Sequence, residues 1–216
     1  LALSGPADME LYREALHAAD QAADTMTRIV QDLLLLARSD AGKLGLELQP
    51  TSLREVLERA AAAVPKSEGA PICLLLPEEP VQVMADTHHL VRLFVNLLEN
   101  AERHTPADGR IEVEVAPGSG RAPVAVRVRD TGEGIPPEHL PHVCERFYRI
   151  DASRARSGHP LGGGTGLGLA ICRSIAEAHG GTLQVESEVG RGTTVTVTLR
   201  RAAGVAEPER VPAVAG

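Results

Sequence analysis

The chain has 216 residues, room for one domain with an appendage or for two small ones. Its 22 Lys and Arg against 29 Asp and Glu leave a net charge of −7, which argues against a nucleic-acid binder, since those need a basic face. Apolar residues make up 43%, but Trp is absent and only Tyr12, Phe94, Phe147 and Tyr148 are aromatic, so a core must be built from Leu, Val, Ile and Ala.

A long helix is predicted first, entered near Pro6 and broken by Gly42. Tyr12, Leu16, Ala19, Ala23, Met26, Val30, Leu33 and Ala37 recur along it at alternating steps of four and three, the seam of a coiled coil or antiparallel bundle. Such a stripe needs a partner helix. The alternative is that it docks on its own globular domain, as amphipathic helices usually do. A short strand is expected at Leu46–Gln49, then a helix over Ser52–Val64, with Ser52 as N-cap and Glu55 completing a capping box. Strands follow at Ile72–Leu76 and Val81–Met84, and Asp86 caps a helix that runs to Arg103.

Ile111–Val115 and Val124–Val128 alternate as half-buried strands do. Over thirty residues rich in Gly, Pro and charge come after Asp130, with at most a short helix at Glu138–His142. A helix over Gly166–His179 and strands at Thr182–Ser187 and Thr193–Leu199 close the domain. The small, polar residues from Ala202 onward read as a disordered tail. Strands interrupted by helices without regular alternation predict an α+β, two-layer sandwich preceded by one long bundle-forming helix.

The cysteines Cys73, Cys144 and Cys172 form no disulfide framework and suit a reducing compartment. Cys73 and Cys172 are expected in the core, while His139, His142 and Cys144, loosely spaced like metal ligands, lack a second cluster and read as surface residues. No apolar run approaches the roughly 20 residues that span a bilayer. The polypeptide is expected to be soluble and cytoplasmic, without nucleic-acid or membrane contact. Lacking an initial Met, it reads as a fragment.

Three segments could carry chemistry. On the helix from Asp86, residues His89, Arg92, Asn96, Asn100 and Arg103 fall within about 80° at 100° per residue, opposite Leu90, Val91, Phe94, Val95, Leu97, Leu98 and Ala101. Two Asn in a strong helix former are unusual, and an amide oxygen is a hard, neutral ligand for a Mg²⁺ that already holds phosphates. Asp130-Thr131-Gly132-Glu133-Gly134-Ile135 places a carboxylate and two conformationally free glycines at a strand end. Gly162-Gly163-Gly164-Thr165-Gly166-Leu167-Gly168-Leu169 opens a helix, whose unpaired N–H groups suit a phosphate. The segment between, with Arg146-Phe147-Tyr148-Arg149, has the makings of a loop that folds over a ligand. Taken singly, each also reads blandly, as a solvated helix face, an ordinary turn and a hinge.

In this order the segments resemble the N, G1, F and G2 boxes of the sensor histidine kinases, whose catalytic domain has the Bergerat ATP-binding fold. Asn96-Leu97-Leu98-Glu99-Asn100-Ala101 looks like the N box, and Met26 to Arg38 looks like the second helix of the family's dimerisation and phosphotransfer hairpin. The resemblance implies residues 1–44 as part of that hairpin, 45–201 as the ATP-binding domain and 202–216 as tail.

It further implies that Asn100 coordinates Mg²⁺, Asn96 supports the phosphates, Arg103 and Arg149 meet the terminal phosphate and His104 flanks the adenine. Asp130 would hold the adenine amino group in a pocket shaped by Gly132, Gly134 and Ile135, with Tyr148 in the lid. Gly164, Thr165, Gly166, Leu167 and Gly168 would wrap the phosphates, and Gly192-Thr193 would match the last, smaller motif. Implied partners are ATP, Mg²⁺, a response regulator and, in the full-length parent at the inner membrane, a second copy. Other ATPases of that fold, anti-sigma-type kinases and a non-catalytic nucleotide-gated dimerisation module are the alternatives.

Two departures stand out. Cys144 occupies the place of a second lid Phe, which predicts weaker lid packing. No His followed by an acidic residue and Arg/Lys-Thr-Pro occurs, and His17, on the first helix, reads as solvated. ATP binding without autophosphorylation is therefore expected of this polypeptide.

Overall fold

The computed structural model describes residues 9–64, 69–118, 122–150 and 165–202. Pro6, Gly162 to Gly164 and the stretch from residue 203 onward lie outside them.

The first element is the long helix α1 (Met9–Asp40). It ends where Gly42 turns left-handed at φ +63°, with the Gly42 N–H on the Ser39 carbonyl and the Lys43 N–H on that of Arg38. Those two bonds satisfy carbonyls that the last turn would otherwise leave open. At about 1.5 Å per residue, 32 residues extend some 48 Å, too long for a small domain to cover. Only the C-terminal third docks. It does so through Asp32, Leu35 and Leu36, all buried, against α4 (Gly168–Ala178) and α3 (Thr87–His104). The 3.5-residue seam stays open among the described residues, with Leu16, Met26 and Val30 exposed by 71%, 67% and 55%. The expected docking onto the chain's own domain is therefore confined to the last turns and uses a face other than the seam.

Between these elements lie β1 (Gln49–Ser52), α2 (Leu53–Ala63), β2 (Ile72–Leu75) and β3 (Gln82–Ala85). Ser52 caps α2 by accepting the Glu55 N–H at 3.4 Å, as the sequence predicts. Strand β1 starts three residues later than Leu46. Its pairing with β3, Gln49 opposite Ala85 and Ser52 opposite Gln82, is fixed by the buried Thr51, whose hydroxyl donates to the Ala85 carbonyl at 3.0 Å. The apolar alternation of Leu46 and Leu48 misled, and Leu48 is 46% exposed.

The main sheet adds β4 (Ile111–Ala116), β5 (Val124–Asp130), β6 (Thr182–Glu188) and β7 (Gly192–Leu199), in the order β2-β4-β5-β7-β6. Only β2 with β4 is parallel, so the sheet is mixed. Helices α2, α3 and α4 cover one face, and Leu90, Phe94, Ile111, Val126, Ile171, Ile175 and Leu199 form a core without appreciable exposure. The other face is polar, with Arg127 beside Glu114 at 3.2 Å. This is the expected two-layer α+β sandwich.

Two cysteines differ from expectation. Cys73 is exposed, because on the edge strand β2 it alternates outward from Ile72 and Leu74. Cys144 is buried. The segment around Glu138–His142 is a succession of turns rather than a helix: the N–H groups of His139, Leu140 and His142 bond three residues back, to Pro136, Pro137 and His139.

Candidate functional site

Asp86 caps α3, its Oδ1 accepting the His89 N–H at 3.1 Å. The helix buries Leu90, Leu93, Phe94, Leu97, Leu98 and Ala101, and leaves Val91 and Val95 half-buried. The polar stripe opposite is divided. His89 sits with Nδ1 3.0 Å from Asp86 Oδ1, and Arg92 pairs with the buried Asp32 of α1. Asn96 is half-buried, and its Nδ2 has no hydrogen-bond partner among the described residues. Asn100, half-buried, and Arg103, exposed, are the members left open to a ligand. Arg92 thus fastens α3 to α1, while Asn100 and Arg103 stay accessible.

At the end of β5 stands Asp130, only 8% exposed. Its Oδ1 accepts the N–H groups of Gly132 at 2.9 Å and Thr193 at 3.1 Å, while no described residue bonds Oδ2. The turn that follows is wedged between the end of α3 and the β6–β7 hairpin. A Cβ on Gly132 would fall 2.3 Å from the His104 carbonyl, and one on Gly134, at φ +72°, 2.2 Å from that of Glu188. No side chain fits either place. The Glu133 N–H donates to the His104 carbonyl at 3.3 Å, the Gly190 N–H to the Glu133 carbonyl at 2.8 Å and the Ile135 N–H to Ser187 Oγ at 2.8 Å. His104 Nδ1 meets Glu133 Oε1 at 2.9 Å across the rim.

The strap from Pro136 to Ile150 runs back across α4. Tyr148 anchors it, its hydroxyl 2.7 Å from His139 Nδ1 and its ring 5.5 Å from that of His142. No group of three metal-ligating side chains occurs among the described residues. Cys144 packs near Arg173 and Glu177 of α4, and burial pushes its thiol pKa up, so the residue in place of the second Phe still packs. Phe147 adopts a left-handed φ of +62° with its ring 59% exposed. That conformation is costly for a bulky side chain. The Phe147 N–H holds it by donating to the Gly166 carbonyl at 2.9 Å, and Arg146 pairs with Asp40 of α1. Arg149 is exposed.

Helix α4 begins at Gly168, two residues later than expected, after Leu167, which is fully buried. Thr165 Oγ1 accepts the Leu167 N–H at 3.3 Å, and no described side chain caps the helix. Its first-turn N–H groups are therefore available. Gly164 lies outside the described residues; Thr165, Gly166 and Gly168 are half-buried.

Two residues that sequence reasoning passed over tie the site together. His179, 2% exposed at the end of α4, accepts the Asp86 N–H on Nε2 and donates from Nδ1 to the Ile175 carbonyl at 2.7 Å. Burial lowers its pKa, against the opposing pull of Ile175 and Asp86. Burial alone would raise the Asp86 carboxyl, but the N–H and ring of His89 and the Glu47 N–H outweigh it and bring it to about 2. The other is Ser187, the partner of Ile135. Neither stood in a recognisable motif, and the bonds to Asp86 and Ile135 span 93 and 52 residues.

Residues 85–203 match the family described as histidine kinase-, DNA gyrase B- and HSP90-like ATPase. Among curated proteins, the chain is 36% identical over 195 residues to the sensor protein IrlS of Burkholderia pseudomallei (strain K96243), covering 90% of this chain and 40% of IrlS. It is 36% identical over 178 residues to the signal transduction histidine-protein kinase BaeS of Escherichia coli (strain K12), covering 81% of this chain and 37% of BaeS. The chain thus spans about two fifths of the length of these relatives. Among solved structures, full-length ShkA in complex with AMPPNP superposes with a TM-score of 0.77 at 25% identity, covering 95% of this chain and 42% of that one. The mycobacterial sensor histidine kinase MprB gives 0.59 at 29%, over 71% and 97%.

Proposed function

The chain belongs to the histidine kinase-, DNA gyrase B- and HSP90-like ATPase family, and from that premise we propose that it is the catalytic region of a two-component sensor histidine kinase. Its substrate is Mg-ATP, and the γ-phosphoryl group goes to a histidine imidazole for relay to an aspartate of a response regulator. The full-length parent works as a homodimer at the inner membrane, with this region on the cytoplasmic side. No helix among the described residues is long and apolar enough to cross a membrane.

The observation that carries the reading is the Asp130 corner. A nearly buried carboxylate has one oxygen taken by two backbone N–H groups and the other bonded by no described residue, beside a turn too tight for any Cβ. Such an oxygen accepts a hydrogen bond from an exocyclic amine, which suits adenine. His104 flanks that corner, and Gly132, Gly134, Ile135 and Thr193 shape it. The donor set also fits a magnesium-bound phosphate chain. Asn100 offers a neutral amide oxygen for the ion, Arg103 and Arg149 are exposed cations, and α4 opens with uncapped N–H groups. Asn96 supports the phosphates from one turn before Asn100, and Tyr148 belongs to the lid. When bound, Mg²⁺ neutralises phosphate charge. The chain's own part is positioning and charge stabilisation of a loose transition state.

Calorimetry with ADP and Mg²⁺ on the parent, Asp130→Ala and Asn100→Ala tests this reading. Affinity should fall in both variants; undiminished affinity in both would mean the ligand lies elsewhere.

A further inference from the structure

Ser187 lies opposite Thr193 in the β6–β7 hairpin, and its Oγ has three polar neighbours. They are the Ile135 N–H at 2.8 Å, the Gly192 carbonyl at 2.8 Å and the Thr193 hydroxyl at 2.9 Å. A serine hydroxyl has one proton and two lone pairs. An amide N–H can only donate and a carbonyl can only accept, so the Ser187 proton goes to Gly192 and one lone pair takes the Ile135 N–H. The Thr193 hydroxyl is left a single role toward Ser187, as donor into the remaining lone pair. For any further partner, Thr193 Oγ1 then has lone pairs only.

Asp130 is in the same condition. Its Oδ1 receives the Thr193 N–H at 3.1 Å and the Gly132 N–H at 2.9 Å, and Oδ2 is an unbonded acceptor among the described residues. The Thr193 N–H on Asp130 Oδ1 brings the two acceptor-bearing residues to one corner, and such a corner welcomes an amine and repels a carbonyl oxygen. We propose that Ser187 is a specificity-determining residue: by fixing the direction of the Thr193 proton it makes the Asp130 corner take a 6-amino purine and refuse a 6-oxo purine. Ser187 acts through Thr193 and does not touch the base. The inference rests on the adenine-nucleotide reading given above and adds to it the group that sets the polarity of the pocket.

The test is calorimetry on the whole chain with Mg²⁺, comparing ADP with IDP, which carries an oxygen in place of the 6-amino group. The parent should prefer ADP. Ser187→Ala frees the Thr193 proton to turn toward a 6-oxo group, and the ADP:IDP affinity ratio should fall about tenfold or more. Ser187→Thr, which keeps the hydroxyl, should restore the ratio. In a Thr193→Val background, Ser187→Ala should change the ratio no further, because the proton it orients is gone.

A parent-like ratio in folded Ser187→Ala overturns the inference, and so does an equal loss for both nucleotides that Ser187→Thr fails to repair. Should Ser187→Ala not fold, Thr193→Val decides: an unchanged ratio there overturns the inference as well. A parent that binds neither nucleotide removes the adenine reading itself. A parent that binds ADP with a ratio indifferent to Ser187 removes only the role of Ser187.

Discussion

His179 accepts the backbone N–H of Asp86 at 3.0 Å across a sequence separation of 93 residues, and so ties the end of α4 to the cap of α3. Because its Nδ1 proton goes to the Ile175 carbonyl, only the neutral ring can make both bonds.

The fold therefore binds a proton at His179 less readily than the unfolded chain does. Its folded pKa is lowered from an ordinary 6.5, so its contribution to stability is complete above that value. It is lost as pH falls from 6.5 through the folded value. Urea midpoints measured from pH 8 to pH 5 should drop over that window, and His179→Gln should flatten the drop. Asp86, held at about 2 against an ordinary 3.8, adds a further loss only below 3.8.

Asp32 and Arg92 are the charged contact between α1 and α3, with side chains 10% and 26% exposed. Replacing Asp32 by Ala leaves a largely covered guanidinium without its partner, at a cost of about 1–3 kcal/mol. Hydrogen exchange should accelerate in the last three turns of α1, with the N-terminal turns unchanged. An unaltered exchange pattern would show that Leu35 and Leu36 hold the helix without the ion pair.

Gly134 combines a left-handed φ of +72° with a neighbouring carbonyl 2.2 Å from where a Cβ would stand. Gly134→Ala should cost about 2 kcal/mol or more, since strain and a backbone clash act together. Nucleotide affinity should fall with it, because the turn carries Ile135 against Ser187. Gly190→Ala, also at positive φ but in open space, provides the comparison: it retains strain without the clash.

Asn100→Ala separates the metal from the base. If the amide holds the ion, the gain in ADP affinity on adding Mg²⁺ disappears in the variant, while affinity in EDTA matches the parent. Equal Mg²⁺ enhancement in the two proteins would move the ion to another ligand.

The sandwich was legible in the sequence because each layer wrote its own period, 3.6 along α3 and two along β4 and β5. Caps at Ser52 and Asp86 marked helix starts through local bonds. The Asp130 turn was legible too, since Gly132 and Gly134 are demanded by backbones that crowd them. What was hidden was long-range. Arg92 looked equivalent to Arg103 on the helical wheel, yet a residue 60 positions away claims it. Thr51 carried no apolar signal, and its buried hydroxyl rather than Leu46 or Leu48 set the first strand. Cys73 read as core because nothing in a short apolar run tells an edge strand from a central one.

Asp32 and Asp40 stand eight residues apart on α1, about 12 Å along its axis, and hold different parts of the molecule: one the α3 cradle, the other the strap at Arg146. A long rod gripped at two heights by two separate bodies cannot be twisted without stressing both grips. Neutralising either aspartate would release one attachment and leave the other in place.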